Sequence, residues 1–456
     1  MHNNTFHSFF NLRSLILLGL GLLFVNSAVV AQSLETFTLK DAQEYALTNN
    51  LNMKIKQTDI AIAKEQVNET KAIGLPNVSG GLNYQHFVQL PVSLVPAIFF
   101  NPMAAEGEFA ELTFGTKNNL TAKLEASQLL FNGSYLVALE GSKTFVNLSE
   151  QNLQQAQIDL KYSVTQSYYN ALIAQEQVRL LEMNTANLSK ILFETEELNK
   201  SGFVEEMDVD RLRLTLNNLK TQIFSAQRGA ELALNALKFQ MGMDASTPIE
   251  LSESLQDIVA NLETMAVDES FNPESRAEYR LLDQQEKLNE LDIKNYRWQR
   301  LPNLAAFASY QQTFQNDNFD VFDGDFWFPT FVVGLQLNVP IFQGLGKNAQ
   351  IAQRELMTVQ LRDGKDLLKE SFNLEITQAK MNFTSALEQV KSQEENIKLA
   401  QKIYDTAIIK YNEGLGSSLE VNSAESSLFE TQGLYVQSLL SLVLAKTNLD
   451  KALGTL

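Results

Sequence analysis

No cysteine occurs among the 456 residues. That excludes disulfides, thiolate nucleophiles, Cys-ligated zinc and an anchor attached through a lipidated N-terminal cysteine. Histidine is nearly as scarce: His2, His7 and His86 are the whole set. The first two lie in a leader-like segment, so His86 alone would remain in a mature chain. One imidazole cannot build a histidine metal cluster and is poor ground for a Ser-His-Asp triad. Positive charge is short as well. Lys+Arg number 36 against Asp+Glu 54, a net charge of −18, the wrong sign for displacing counterions from nucleic acid. Long apolar runs are missing too. Leu15 to Val25 follows Arg13 and is closed by Val29-Val30-Ala31, the pattern of an export signal at 1–31 removed after Ala31. Eleven apolar residues are too few to cross the ~30 Å hydrocarbon core as a helix. Beyond it no stretch approaches twenty apolar residues, so membrane residence after export would require a β-barrel.

What is present is a duplication. Leu75-Pro76-Asn77-Val78 recurs as Leu301-Pro302-Asn303-Leu304, and Phe131-Asn132-Gly133 as Phe342-Gln343-Gly344. Gly202-Phe203 with Met207-Asp208-Val209 matches Gly414-Leu415 with Leu419-Glu420-Val421, and Leu237 to Gly242 matches Leu449 to Gly454. The register between copies slips once, in the stretch Leu90 to Lys117 of the first copy. The expected layout is a first repeat over 32–243, a linker over 244–272 and a second repeat over 273–456.

Within each repeat the hydrophobic period changes twice. Apolar or small residues at 153, 156, 160, 164, 168, 171, 174, 178 and 181 recur at the heptad spacing of a coiled coil. Gly133 to Asn199 and Gly346 to Asn412 lack proline, and each reads as one helix roughly 100 Å long at ~1.5 Å per residue. Shorter helices are expected over 39–73 and 206–242, and over 273–300 and 419–453. End to end, each short pair can pack along its long partner.

Between the helices the period is two. Phe331, Val333, Leu335, Leu337, Val339 and Ile341 line one face, with Thr330, Gly334, Gln336 and Asn338 on the other along with Val332. Leu82, Tyr84, Val88 and Leu90 repeat the pattern, as do Leu120, Ala122, Leu124 and Ala126, whereas Ala305 to Phe314 alternates less cleanly. Strands are expected at about 78–131, interrupted by the insertion 90–117, and at about 304–342. Strands of about ten residues with one greasy face suit a tilted membrane strand, although a soluble hairpin lying on helices has the same pattern. Four strands cannot close a barrel, so insertion forces oligomerisation. Two chains would give a plugged eight-stranded barrel, and three a twelve-stranded one with a lumen.

The two LPN motifs, Leu130-Phe131-Asn132-Gly133 with Pro340-Ile341-Phe342-Gln343-Gly344, and above all Tyr411-Asn412-Glu413-Gly414 followed by Leu419-Glu420-Val421, make the chain resemble a TolC-type outer membrane factor. The resemblance begins at Phe37-Thr38-Leu39-Lys40-Asp41-Ala42 and runs over essentially all of the mature chain. It implies a mainly α fold with a β-barrel portion: four strands per chain in a homotrimeric, twelve-stranded outer-membrane barrel that continues into a long periplasmic α-barrel of coiled-coil helices. It also implies an exit duct for efflux or type I secretion, in the outer membrane of a Gram-negative cell. The implied partners are outer-membrane lipid, a periplasmic adaptor and an inner-membrane transporter of RND or ABC type; no cofactor, metal or catalytic residue is implied.

By position, Glu420 matches an acidic residue that faces the pore at the closed tip. Tyr411 and Asp208 match residues that hold neighbouring tip helices closed. Gly202, Phe203, Val204, Gly414, Leu415 and Gly416 form the expected adaptor-docking tip. The chain departs from the pattern at Ser423, where a second acid is usual, and at Gly416, where a basic residue is usual. No extended tail follows Gly454, so an equatorial belt would rely on 244–272. Each site residue has a plainer reading. Ser417-x-x-Glu420 fits a capping box, Asp208 can serve the helix dipole, Tyr411 can be coiled-coil packing, and the acids Glu205, Glu206, Asp208 and Asp210 can be a solvated turn. His86 reads as structural. Pro91, Pro96 and Pro102 argue against any ladder strand in 90–117, which is expected outside the cell with Pro96-Ala97-Ile98-Phe99-Phe100 exposed at its tip. A surface coiled-coil adhesin is an alternative, but it leaves the alternating strands without a purpose, and a secreted hydrolase using carboxylate pairs would need a compact cleft that no constellation of residues marks out.

Overall fold

The computed structural model describes residues 35–255, 258 and 271–456; the expected leader 1–31 and residues 259–270 of the linker lie outside them. The chain opens with β1 (Glu35–Phe37), α1 (Leu39–Asn49) and α2 (Leu51–Ala72), followed by β2 (Asn77–His86), the hairpin β3 (Val92–Pro96) and β4 (Phe109–Thr113), and β5 (Asn118–Phe131). Helices α3 (Gly133–Lys200) and α4 (Glu206–Met241) and the short β6 (Ile249–Leu251) complete the first half. The second half repeats the order without the hairpin: α5 (Ala277–Trp298), β7 (Asn303–Asn316), β8 (Trp327–Asn338), α6 (Gly346–Asn412) and α7 (Ser418–Leu453).

Local chemistry sets these boundaries. At the start of α3 the Asn132 side chain accepts from the Tyr135 N–H at 3.0 Å, covering one of the donors a helix start leaves unpaired. With no proline to break the ladder, α3 runs for 68 residues and α6 for 67. The expected single helix over 39–73 is two, because Asn50 interrupts it. Its backbone is extended at ψ 131, its side-chain oxygen caps α2 through the Asn52 N–H at 2.8 Å, and its amide donates to the Gln240 carbonyl at 2.8 Å. A buried asparagine thus fastens the junction of the short helices to the end of α4.

Strands β2, β5, β7 and β8 form one antiparallel sheet in that order. Registers run from Asn77↔Ser127 to His86↔Asn118, and from Asn303↔Asn338 to Phe314↔Trp327. Val78, Leu82, Phe331, Val333, Leu335 and Leu337 are all exposed, so the alternation seen in the sequence marks a face that the chain itself leaves uncovered. Two expectations change here. Strand β2 stops at His86 rather than reaching Leu90, since the His86 ring and the Tyr84 hydroxyl both converge on the Asn118 side-chain oxygen at 2.7 and 2.9 Å, which closes the strand pair at this rim. The insertion does contain a ladder, β3 with β4. Proline is tolerated because Pro96 ends an edge strand, where its missing N–H leaves no ladder bond unmade.

Two cores lie along the helices. Mid-way, Phe37, Ala42, Val164, Tyr168, Leu237, Met241, Phe383, Leu442 and Leu449 pack together. There β1 pairs with β6 in parallel, and the buried Tyr168 hydroxyl donates to the Phe37 carbonyl at 3.0 Å. The end of α7 is tied in by Arg276, 5% exposed. Its guanidinium donates to the Ala452 carbonyl at 2.8 Å, pairs with Glu278 and Glu375, and lies 4.4 Å over the Phe372 ring. Nearer the far end, Leu181, Leu188, Leu212, Leu216, Ala400, Tyr404, Tyr411, Val421 and Leu428 form the second core. No helix among the described residues is long and apolar enough to cross a membrane.

Candidate functional site at the helical tip

Both long helices leave the sheet and end together. Each closes on a glycine in the left-handed region, Gly202 at φ 80 and Gly414 at φ 72, a conformation that costs a side-chain-bearing residue roughly 1 kcal/mol or more. The Phe203 N–H returns to the Leu198 carbonyl at 3.0 Å and the Leu415 N–H to the Lys410 carbonyl at 2.8 Å, so spent helical carbonyls are satisfied. The turns push the next residue outward: Phe203 is 81% and Leu415 82% exposed. Beside them Val204 is partly buried and Gly416 lies against Lys410 and the Glu420 carboxylate. The six expected docking positions therefore share one end, led by two equivalent apolar side chains.

Behind this surface the hairpin α3/α4 meets the hairpin α6/α7 along a seam. The Tyr411 hydroxyl, on α6, donates to Thr195 Oγ1 on α3 at 3.2 Å in a buried contact. Burial, eased by that bond and reinforced by the Asp208 charge, raises the phenol above its ordinary range. The Asp208 carboxylate accepts from the Ser418 hydroxyl at the start of α7 and lies 3.8 Å from Arg211. One turn deeper Thr215 donates to the Asn422 side chain at 3.1 Å, and deeper still Asn184 donates to Gln432 at 2.7 Å, fully buried. Tyr411 and Asp208 thus act between the two hairpins of one chain.

Glu420 sits elsewhere. It is exposed, and with Lys402, Lys410, Leu399, Ile403 and Ser423 it lines a groove of about 500 Å³ between α6 and α7. The Ser417 hydroxyl accepts from the Glu420 N–H at 3.3 Å, which is one half of a capping box. In α1, by contrast, Thr38 and Asp41 make both halves. The Glu420 carboxylate is therefore not consumed by its own helix start.

One acid escaped the sequence reading. Glu425 on α7 is 7% exposed, its Oε2 has no hydrogen-bond partner, and burial pushes its carboxyl up to about 7. A signal was available. Residues 418, 421, 425, 428, 432, 435, 439 and 442 alternate three and four apart, so Glu425 and Gln432 occupy seam positions of the heptad. No group of three or more His, Cys, Asp or Glu residues is placed to hold a metal among the described residues.

The sequence profile of the family described as outer membrane efflux protein matches residues 43–243 and 284–455. The chain belongs to this family. It is a family of outer membrane efflux channels, which are not enzymes. Among its relatives, the probable efflux pump outer membrane protein TtgC of Pseudomonas putida is 24% identical over 318 residues, 67% of this chain and 62% of that protein. The match thus spans less than two thirds of TtgC. The outer membrane efflux protein BepC of Brucella suis is 21% identical over 450 residues, covering 96% of this chain and 90% of that one. In fold, the chain superposes on CusC with a TM-score of 0.70 at 19% identity, covering 91% of this chain and 92% of that one. The CmeC outer membrane channel of Campylobacter jejuni gives 0.67 at 18% identity, covering 91% and 85%. The long helical portion joined to a strand portion is the architecture of these outer membrane channels.

Proposed function

We propose that three copies of the chain close a twelve-stranded barrel in the outer membrane and continue as a helical tunnel across the periplasm, forming the passive exit duct of an efflux or type I secretion machine. The observation that carries this reading is the four-stranded sheet. Among the described residues its outer strands β2 and β8 each have one unpaired side, and its apolar face is exposed. Unpaired strand edges are untenable in lipid, so a sheet that enters a bilayer must be completed by further copies. Helix α6 supports the same assembly: Leu367, Leu374 and Met381, seven residues apart, are all exposed, a heptad face with no partner inside one chain.

At the far end, Phe203 and Leu415 would engage a periplasmic adaptor that brings an inner-membrane transporter, of RND or ABC type, into line. The three Glu420 carboxylates would be presented towards the tunnel axis as its constriction. Light scattering on detergent-solubilised protein tests the assembly: a mass three times that of the chain is expected. A monomer with intact β signal would overturn it. Phe203→Asp with Leu415→Asp should abolish capture of adaptor and transporter from membranes while leaving the oligomer whole.

A further inference from the structure

The tip carries a buried acid that the duct reading does not use. Glu425 lies two turns into α7 from Ser418, about 10 Å at ~1.5 Å per residue. It sits where α3, α4 and α7 meet, bordered by the apolar side chains of the second core. It also borders a cavity of about 250 Å³ whose other lining residues are Asn184, Thr215, Asn218, Leu219, Gln222, Asn422, Ser426 and Phe429. None of these is ionisable. From α6 the titratable neighbour is Tyr404, itself buried and held protonated by burial and by the Glu425 charge. No cation faces the carboxyl from α3, α4 or α7 within this lining, so no residue of the cavity compensates its negative charge.

We propose that Glu425 is a proton-operated lock on the seam between the two helical hairpins: protonated, it lets the seam close, and ionised, it loosens the seam and with it the tunnel tip. This rests on the tip being the constriction of the duct. The placement supports it physically. A buried carboxylate with one oxygen, Oε2, left without a partner must draw in water when it ionises, and the amide-lined cavity beside it is where that water can enter. The wall that would move is held towards the tip by few polar contacts, Asp208–Ser418, Tyr411–Thr195 and Thr215–Asn422.

The direction follows from linkage. At a pH below the ordinary carboxylate range, closed and open forms both hold the proton, and Glu425 does not oppose closure. As pH rises from there towards about 7, the open, hydrated form ionises first and closure loses stability, and beyond about 7 the loss is complete.

Hydrogen exchange of residues 419–432 in the solubilised trimer, wild type against Glu425→Gln at each pH, cancels the intrinsic pH dependence of exchange. The ratio of wild-type to variant exchange should rise on the order of 70-fold between pH 5 and pH 8. A constant ratio overturns the proposal. In planar bilayers, wild-type conductance should rise with pH from the ordinary carboxylate range up to about 7 and then level off. It should stay low at every pH in Glu425→Gln and in an oxidised Thr215→Cys/Asn422→Cys pair, which staples the seam. A pH rise that survives in Glu425→Gln overturns the lock. If no conducting channel forms at all, the duct reading fails, and the exchange ratio still decides whether Glu425 titrates as the lock requires.

Discussion

Removing the two tip contacts that join the hairpins should open the tunnel without unfolding the protein. In Tyr411→Phe the lost bond is neutral, and Thr195 keeps its own hydroxyl bond to the Ile191 carbonyl at 2.8 Å. No buried donor is stranded, and the cost is about 1 kcal/mol. Asp208→Ala removes a charged acceptor from Ser418, a bond of roughly 1.5–3 kcal/mol when buried. The Asp208 side chain is 24% exposed, so about 1 kcal/mol is the fitting share. The two contacts lie on the same seam and need not add. If opening breaks both, about 2 kcal/mol shifts the ratio of closed to open tips roughly 30-fold. Single-channel recording from the double variant should show a higher open fraction or conductance, with Tyr411→Phe and Asp208→Ala each giving a part of it. The four-stranded sheet and mid-helix core are untouched, so the melting temperature of the assembled protein should move by no more than a few degrees. Wild-type conductance in the double variant would refute the seam as the closing element.

If three Glu420 carboxylates ring the axis as proposed, Glu420→Gln should lower the cation preference of the pore without altering the oligomer, since such a ring favours bound cations; unchanged ion selectivity and divalent block would assign Glu420 to its groove beside Lys402 and Lys410. Protease added to intact cells should cut the 97–108 tip of the β3–β4 hairpin, where Ile98, Phe99, Phe100 and Met103 are exposed, and protection there with cleavage in lysed cells would place the hairpin inside. Leu374→Glu should convert the trimer to monomer on size-exclusion chromatography, because it puts a charge on the open heptad face of α6. Arg276→Gln should destabilise the mid-helix region by about 1–2 kcal/mol, because the bond to the Ala452 carbonyl is lost while the carboxylates of Glu278 and Glu375, partly exposed, stay hydrated, and chemical denaturation of the solubilised protein should detect it.

Most of the architecture was legible because the repeated elements obey periodicity closely. Helix α6 begins and ends at the residues expected, Gly346 and Asn412, since proline-free heptads between two glycine turns leave few alternatives. What periodicity could not supply was tertiary. Nothing local distinguishes Asn50 from any other helical asparagine, and its role as a break depends on Gln240, 190 residues away. The ladder inside the insertion was hidden by a proline rule that applies to central strands and relaxes at edges. Strand β7 alternated poorly in sequence, yet it is paired along both edges by β5 and β8, and successive residues, which point to opposite faces, are partly buried along most of its length.

At the site, position in the sequence was legible and orientation was not. Asp208 and Glu420 stand at the same place in the two repeats, 212 residues apart, which invites equal roles. The fold separates them: Asp208 turns inward to Ser418 on the other hairpin, while Glu420 turns towards the groove of its own. A duplication conserves backbone position but cannot make both copies face the same neighbour, because each hairpin is packed on one side by the other. Glu425 shows the converse. Its counterpart 212 residues earlier is Arg213, a surface residue paired with Glu196 and Asp210. A charge that stays at the surface in the first copy is therefore turned into the seam in the second. Broken equivalence between repeats, rather than shared motif, is where the two hairpins of this chain differ most, and it leaves a buried acid in the seam that the proposed lock would loosen.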